Sequence, residues 1–184
     1  MPRLFTGLEI PADITEALAR CQSGLRGARW IDPGDFHITL RFLGDVEEPV
    51  AEAVHDVLTE ARPRGPLPVM LNGLACFGGE KPRSIIAAVA PSKELDALQA
   101  EHERICRQAG AEPERRKFTP HVTLARLRRE VKAPDVAAYL AEAGLFRSLT
   151  FTADRVALFS ARESRGGGPY VVEAAYSFRE TATE

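Results

Sequence analysis

The chain has 184 residues, with 24 Lys and Arg set against 26 Asp and Glu, a net charge of −2, and 45% hydrophobic content. These values suit one globular domain, or one domain in two lobes, over residues 1–184, and exclude a disordered polyelectrolyte. No run of ~18 apolar residues occurs, so no membrane-spanning helix is expected.

The N-terminus, Met1-Pro2-Arg3-Leu4-Phe5, does not read as a signal peptide. Leu4 to Ile10 reads as a first strand. Asp13-Ile14-Thr15-Glu16 has capping-box spacing and opens a helix with the stripe Ile14, Ala17, Leu18, Cys21 and Leu25, ended near Gly24. Arg29 to Ile31 is a short extended piece. Asp32-Pro33-Gly34 turns it into Phe36-His37-Ile38-Thr39-Leu40, whose period-two alternation predicts a strand.

Asp45-Val46-Glu47-Glu48 repeats the capping logic ahead of a second helix with Val50, Val54, Val57, Leu58 and Ala61. Arg62 to Pro66 is a loop. Leu67 to Phe77 and Ser84 to Ala90 read as two strands around the Gly78-Gly79 turn. Ser92 caps a third helix striped by Leu95, Leu98, Ile105 and Ala109 and ended by Gly110.

The charged loop Glu112 to Lys117 leads into Pro120-His121-Val122-Thr123-Leu124, a second predicted strand of the same pattern. Pro134 suits the first turn of a fourth helix carrying Val136, Tyr139 and Leu140. Leu149 to Phe151 and Val156 to Ser160 are read as one long strand broken at Ala153-Asp154. Arg162 to Pro169, with its glycines, is expected to be a mobile loop, and Tyr170 to Phe178 the last strand. Strands and helices in this order point to an α+β fold with largely antiparallel sheets.

Two of four histidines open the pattern His-x-Thr-Leu, although the chain holds only 10 Thr and 18 Leu. Shuffling would produce that pairing with a probability on the order of 10⁻⁴, so the repeat carries meaning. Alternation puts His37 and Thr39 on one strand face and Ile38 and Leu40 on the other; Val122 and Leu124 likewise oppose His121 and Thr123. Each strand thus packs a core with one face and offers an imidazole and a hydroxyl on the other. Those groups can move a proton near neutral pH and bind phosphate oxygens. His55 and His102 lie in helical stretches without a Thr partner and are read as solvated.

Local charge adds to this. Nine basic residues lie between Arg104 and Lys132 against Glu112, Glu114 and Glu130, a balance of +6 around His121 that would draw in anions. The three cysteines are odd in number and lack CxxC spacing, which fits a reducing cytoplasm and argues against a zinc site.

The chain resembles the two-histidine phosphoesterase superfamily, and within it the RNA 2′,3′-cyclic phosphodiesterases, also called 2′-5′ RNA ligases. The resemblance rests on Phe36-His37-Ile38-Thr39-Leu40-Arg41-Phe42-Leu43-Gly44 and on Lys117-Phe118-Thr119-Pro120-His121-Val122-Thr123-Leu124-Ala125-Arg126. Arg29-Trp30 and Gly168-Pro169-Tyr170 support it. It implies a bilobal fold with pseudo-twofold symmetry, two largely antiparallel sheets flanked by helices, and a central cleft where the motif strands meet. It also implies hydrolysis of RNA 2′,3′-cyclic phosphate ends to 2′-phosphates, or in reverse 2′-5′ ligation, by an enzyme needing no metal or cofactor; a cytoplasmic monomer is expected. His37 would be the general acid towards O3′ and His121 the general base towards water. Thr39 and Thr123 would donate to phosphate oxygens, Arg126 would bind phosphate and Phe42 would stack on a base.

One conflict stands. Phe42 and Arg126 each follow their histidine by five positions, and strict alternation puts an offset of five on the opposite face. Either a bulge or a strand end intervenes, or one carried-over role is wrong. For Phe42, core packing and stacking both stay open. For Arg126 the site is favoured, because burying an unpaired guanidinium is the worse alternative. Competing readings are a phosphodiesterase of small cyclic nucleotides or of ADP-ribose cyclic phosphate, and a non-catalytic RNA-binding module. A metalloprotein using both histidines would lack a completing ligand set.

Overall fold

The computed structural model describes residues 3–61, 63–143, 147–161 and 169–179. In chain order the elements are β1 (Arg3–Glu9), α1 (Ala12–Ala19), β2 (Ala28–Trp30), β3 (His37–Asp45), α2 (Glu48–Thr59), β4 (Leu67–Phe77) and β5 (Ser84–Val89). They continue with α3 (Lys93–Gln108), β6 (His121–Leu127), α4 (Ala133–Ala143), β7 (Leu149–Ala153), β8 (Arg155–Ala161) and β9 (Tyr170–Ser177). The expected loop over Arg162 to Pro169 falls, but for Pro169, outside the described residues, as do Arg62 and Gly168.

The strands form two antiparallel sheets, one in the order β3-β1-β8-β9 and the other β2-β6-β5-β4-β7. Without β2, the second sheet repeats the first: a motif strand at one end, then three antiparallel neighbours. The sheets come together at β3 and β6. One cluster of buried residues joins them, from Leu8, Ile38 and Leu40 through Leu71, Ile85, Val122 and Leu124 to the apolar stripes of all four helices. This is the α+β architecture expected from the sequence.

The helices form where apolar positions recur at helical spacing. Ile14 and Leu18 are buried from α1, Val54 and Leu58 from α2, and Val136 and Tyr139 from α4. Ser92 caps α3 as expected, accepting from the Leu95 amide at 3.1 Å. The other two predicted caps are corrected. Pro11 occupies the N-cap of α1 and Asp13 lies in its first turn. Asp45 ends β3 and pairs with Arg3 at 3.6 Å, leaving Glu47 at the N-cap of α2. Helix α1 also stops at Ala19, short of Gly24, so Cys21 and Leu25 lie beyond it.

The expected long strand through Ala153-Asp154 is instead two. β7 pairs with β4 in one sheet and β8 with β1 in the other, so Asp154 is where the chain changes sheets. His102 is also corrected. It is 2% exposed on the buried stripe of α3, with Nδ1 2.8 Å from the Thr6 hydroxyl. Burial pushes its pKa down to about 4, helped by the Arg64 charge. His55 is exposed, as expected, and meets the Tyr176 hydroxyl at 2.6 Å.

Candidate active site

Both motif strands break alternation at the same place. On β3, Thr39 faces Gly7 and Arg41 faces Thr6, so Leu40 has no partner across the ladder. On β6, Thr123 faces Ile86 and Ala125 faces Ile85, leaving Leu124 unpaired. Each is a one-residue bulge at the Leu of His-x-Thr-Leu, and a bulge inverts the side-chain phase beyond it. His37 and Thr39 therefore share a face with Phe42, while Ile38, Leu40 and Arg41 turn inwards. His121, Thr123 and Arg126 share a face in the same way, over Val122, Leu124 and Ala125.

The bulge resolves the offset-five conflict for both residues. Phe42 is 47% exposed rather than packed in the core. Arg126 is exposed and close enough to depress both imidazoles by its charge.

Local contacts support the bulges. A Cβ on Gly7 would stand 2.6 Å from the Ile38 carbonyl oxygen, so β1 approaches β3 closely because the residue opposite Thr39 is glycine. On the other strand the Leu124 carbonyl accepts from the Ile31 amide at 2.9 Å and from the Gln22 side-chain amide at 3.1 Å. The same Gln22 nitrogen donates to the Ile31 carbonyl at 2.7 Å.

The two imidazoles are held alike. His37 Nδ1 lies 2.8 Å from the Asp35 carbonyl oxygen, and His121 Nδ1 lies 2.7 Å from that of Thr119. A carbonyl only accepts, so both Nδ1 atoms carry hydrogen and both Nε2 atoms are left for chemistry. His37 Nε2 sits 3.0 Å from the Thr39 hydroxyl. Asp35 belongs to a 3₁₀ turn over Pro33–Asp35, where Asp32 accepts from the Gly34 amide at 2.8 Å. The Asp35 carboxylate accepts from the Tyr170 amide at 3.0 Å, which ties the start of β9 to the same turn.

Three aromatic rings surround His37, and one flanks His121. Phe5, Tyr170 and Phe159 have centroids 4.7, 5.0 and 5.6 Å from that of His37, and Phe77 lies 4.8 Å from His121, edge-on. Phe42, Phe5 and Phe159 form one row across β3, β1 and β8, and Arg126, Ser84 and Phe77 form the matching row across β6, β5 and β4. One row is thus wholly aromatic, while the other combines a cation, a hydroxyl and a single ring.

Burial, more than any charge, pushes both imidazoles below the ordinary histidine value. The carbonyl partners oppose the shift, and Arg126 adds to it; for His37 the nearby His121 adds further. Both imidazoles are therefore neutral near pH 7.

The sequence reading did not identify these rings or the carbonyls of Asp35 and Thr119. The carbonyls stand two residues before each histidine, an offset the repeat does contain, but a backbone group leaves no mark in side-chain identity. Arg41, read only as part of the motif, is 5% exposed and ion-paired with Glu103, and it donates to the carbonyls of Phe42 and Glu112. It fastens β3 to α3 and to the loop before β6.

Residues 9–165 match the family model described as the 2′-5′ RNA ligase superfamily. A protein of Bacillus subtilis named RNA 2′,3′-cyclic phosphodiesterase is 33% identical over 130 residues, covering 68% of this chain and 71% of that one. One of the same name from Aeropyrum pernix is 37% identical over 116 residues, covering 62% of this chain and 65% of its own length. Among solved structures, a Thermus thermophilus protein superposes with a TM-score of 0.79 at 23% identity, covering 96% of this chain and 98% of that one. E. coli LigT complexed with 3′-AMP gives 0.75 at 19% identity, covering 96% and 98%. At these identities the superpositions speak for the fold alone.

Proposed function

The chain belongs to the 2′-5′ RNA ligase superfamily, and from that premise we propose that it hydrolyses RNA 2′,3′-cyclic phosphate ends to 2′-phosphates. The observation that carries this reading is the matched pair of imidazoles, each tethered through Nδ1 and each leaving Nε2 to one cleft. Relatives bearing the name RNA 2′,3′-cyclic phosphodiesterase support the substrate class.

In the proposed reaction His121 Nε2 takes a proton from water as its oxygen attacks phosphorus. The P–O3′ bond breaks on the far side, and His37, protonated at Nε2, gives its proton to O3′. One water is consumed and the 2′-phosphate remains. Thr39 and Thr123 donate to the non-bridging oxygens, and Arg126 offsets the negative charge that builds there. Phe42 offers its open face to the terminal base. An RNA 5′-hydroxyl in place of water would yield a 2′-5′ bond by the same displacement. His37 must be protonated to act, and the arriving phosphate anion favours that by raising the depressed pKa.

The proposal includes a cytoplasmic, monomeric enzyme without metal or cofactor. Among the described residues no helix is long and apolar enough to cross a membrane. The test is a time course on an RNA with a 2′,3′-cyclic end, in excess EDTA, with the product isomer identified. A 2′-phosphate at an undiminished rate is expected. Loss on chelation with recovery on adding zinc or manganese, or a 3′-phosphate product, overturns the scheme.

A further inference from the structure

We propose that Arg29 holds the phosphodiester one nucleotide upstream of the reacting cyclic phosphate, so that the enzyme grips an RNA strand and not only its terminal nucleotide. This rests on the activity proposed above and extends it to a second subsite.

The placement comes from β2, the strand that breaks the match between the two sheets. β2 lies outside β6, and Arg29 pairs directly with Arg126. Directly opposed residues share a sheet face and stand about 4.5–5.5 Å apart at Cα, so Arg29 joins Arg126 on the cleft wall. Trp30 turns the other way, packing its ring 5.8 Å from Tyr139. Both arginines are exposed. Neither guanidinium has a hydrogen bond or ion pair among the described residues.

Two like charges directly opposed on neighbouring strands are unfavourable by themselves. A bound polyanion removes that cost, since each guanidinium then gains a phosphate. The two positions are not equivalent. Arg126 lowers the pKa of both imidazoles, whereas Arg29 lies one strand further out, on β2. Arg126 therefore stands at the reacting phosphate and Arg29 is set back from it, away from the aromatic row. A base stacked on Phe42 and a cyclic phosphate between the histidines would send the strand's next phosphate towards β2. Arginine suits this role because its planar fork matches two phosphate oxygens at once.

The test compares the parent with Arg29→Ala and Arg29→Lys on two substrates: a mononucleoside 2′,3′-cyclic phosphate and a short RNA oligomer with the same cyclic end. Arg29→Ala should lower kcat/KM on the oligomer about tenfold or more and leave the mononucleoside rate within about twofold. Arg29→Lys should recover part of the loss. Oligomer binding is followed separately by fluorescence anisotropy over a salt series, where Arg29→Ala should reduce the slope of log K against log salt by about 0.7. Equal loss on both substrates places Arg29 at the reacting phosphate and overturns the proposal. Unchanged rates with an unchanged salt slope also overturn it. If the parent turns over neither substrate, the proposed activity fails, and the salt slope alone still decides whether Arg29 meets an RNA phosphate.

Discussion

His37 and His121 are alike in sequence context and tether, yet the proposed displacement asks one to be protonated and the other neutral. In the free enzyme both lie below the ordinary histidine value of ~6.5. The form with one proton shared between them is therefore most populated in acid. Because kcat/KM reports the free enzyme, its bell should peak below pH ~6.5. It should fall through neutrality as the second proton leaves, and fall again in strong acid as the base is protonated. A rate still climbing at pH ~8 would mean that these imidazoles do not supply the limiting proton. His37→Ala and His121→Ala should each cost about 10²–10⁴-fold. The double variant should lose little more than either single one, because acid and base serve one displacement. Multiplying effects in variants with parental far-UV spectra would show that the two histidines do not act together.

At the scale of elements the bulge is the device that matters, because it turns a residue five positions after each histidine back into the cleft. Gln22 holds the β6 bulge from outside the sheet, through the Leu124 carbonyl. Gln22→Leu keeps the bulk and removes both donations. It should lower kcat on a cyclic phosphate about tenfold, since small misplacements of binding groups are costly, while KM for the mononucleoside moves little. Parental kcat in a variant with a lowered Tm would make Gln22 a merely structural residue. The motif strands, α3 with its Ser92 cap and the α+β class were legible because apolar period, cap chemistry and a doubled motif all point the same way. The bulges were only inferable as an alternative, since Leu40 and Leu124 are ordinary strand residues and the extra position is set by pairing with β1 and β5. The break at Asp154 looked like an interruption because sequence carries no record of which sheet each half joins. His102 could have been found: it follows Leu95 and Leu98 and precedes Ile105 at helical spacing, on the face that the apolar pattern buries.

For the whole molecule, His102 links stability to pH. It lies where α3 packs over the first sheet, with Thr6 of β1 as its hydrogen-bond partner and the Arg64 charge acting on it. Arg64 itself pairs with Glu101 of α3 and stands 5.7 Å from the centre of the Phe178 ring, so a cation and a buried imidazole share this side of the core. The native state holds His102 neutral down to about 4, whereas the unfolded chain takes a proton near the ordinary value of ~6.5. A depressed histidine pKa means that the unfolded state binds more protons between those two values, so stability falls as pH is lowered through that window. The full contribution is present above pH ~6.5 and amounts to about 3 kcal/mol, with no further loss from this group once both states are protonated. His37 is displaced in the same direction and adds to the parent's slope, which is why the comparison must be between variants. Urea unfolding of the parent and of His102→Gln, measured from pH 7 to pH 4, isolates the group, because Gln can still meet the Thr6 hydroxyl and does not titrate. The parent should lose about 3 kcal/mol more than the variant across the series, so the difference between the two curves should change by that amount from neutral pH to acid. Parallel curves would mean that His102 is protonated in the native state or that water reaches it, and the buried neutral imidazole would have to be abandoned.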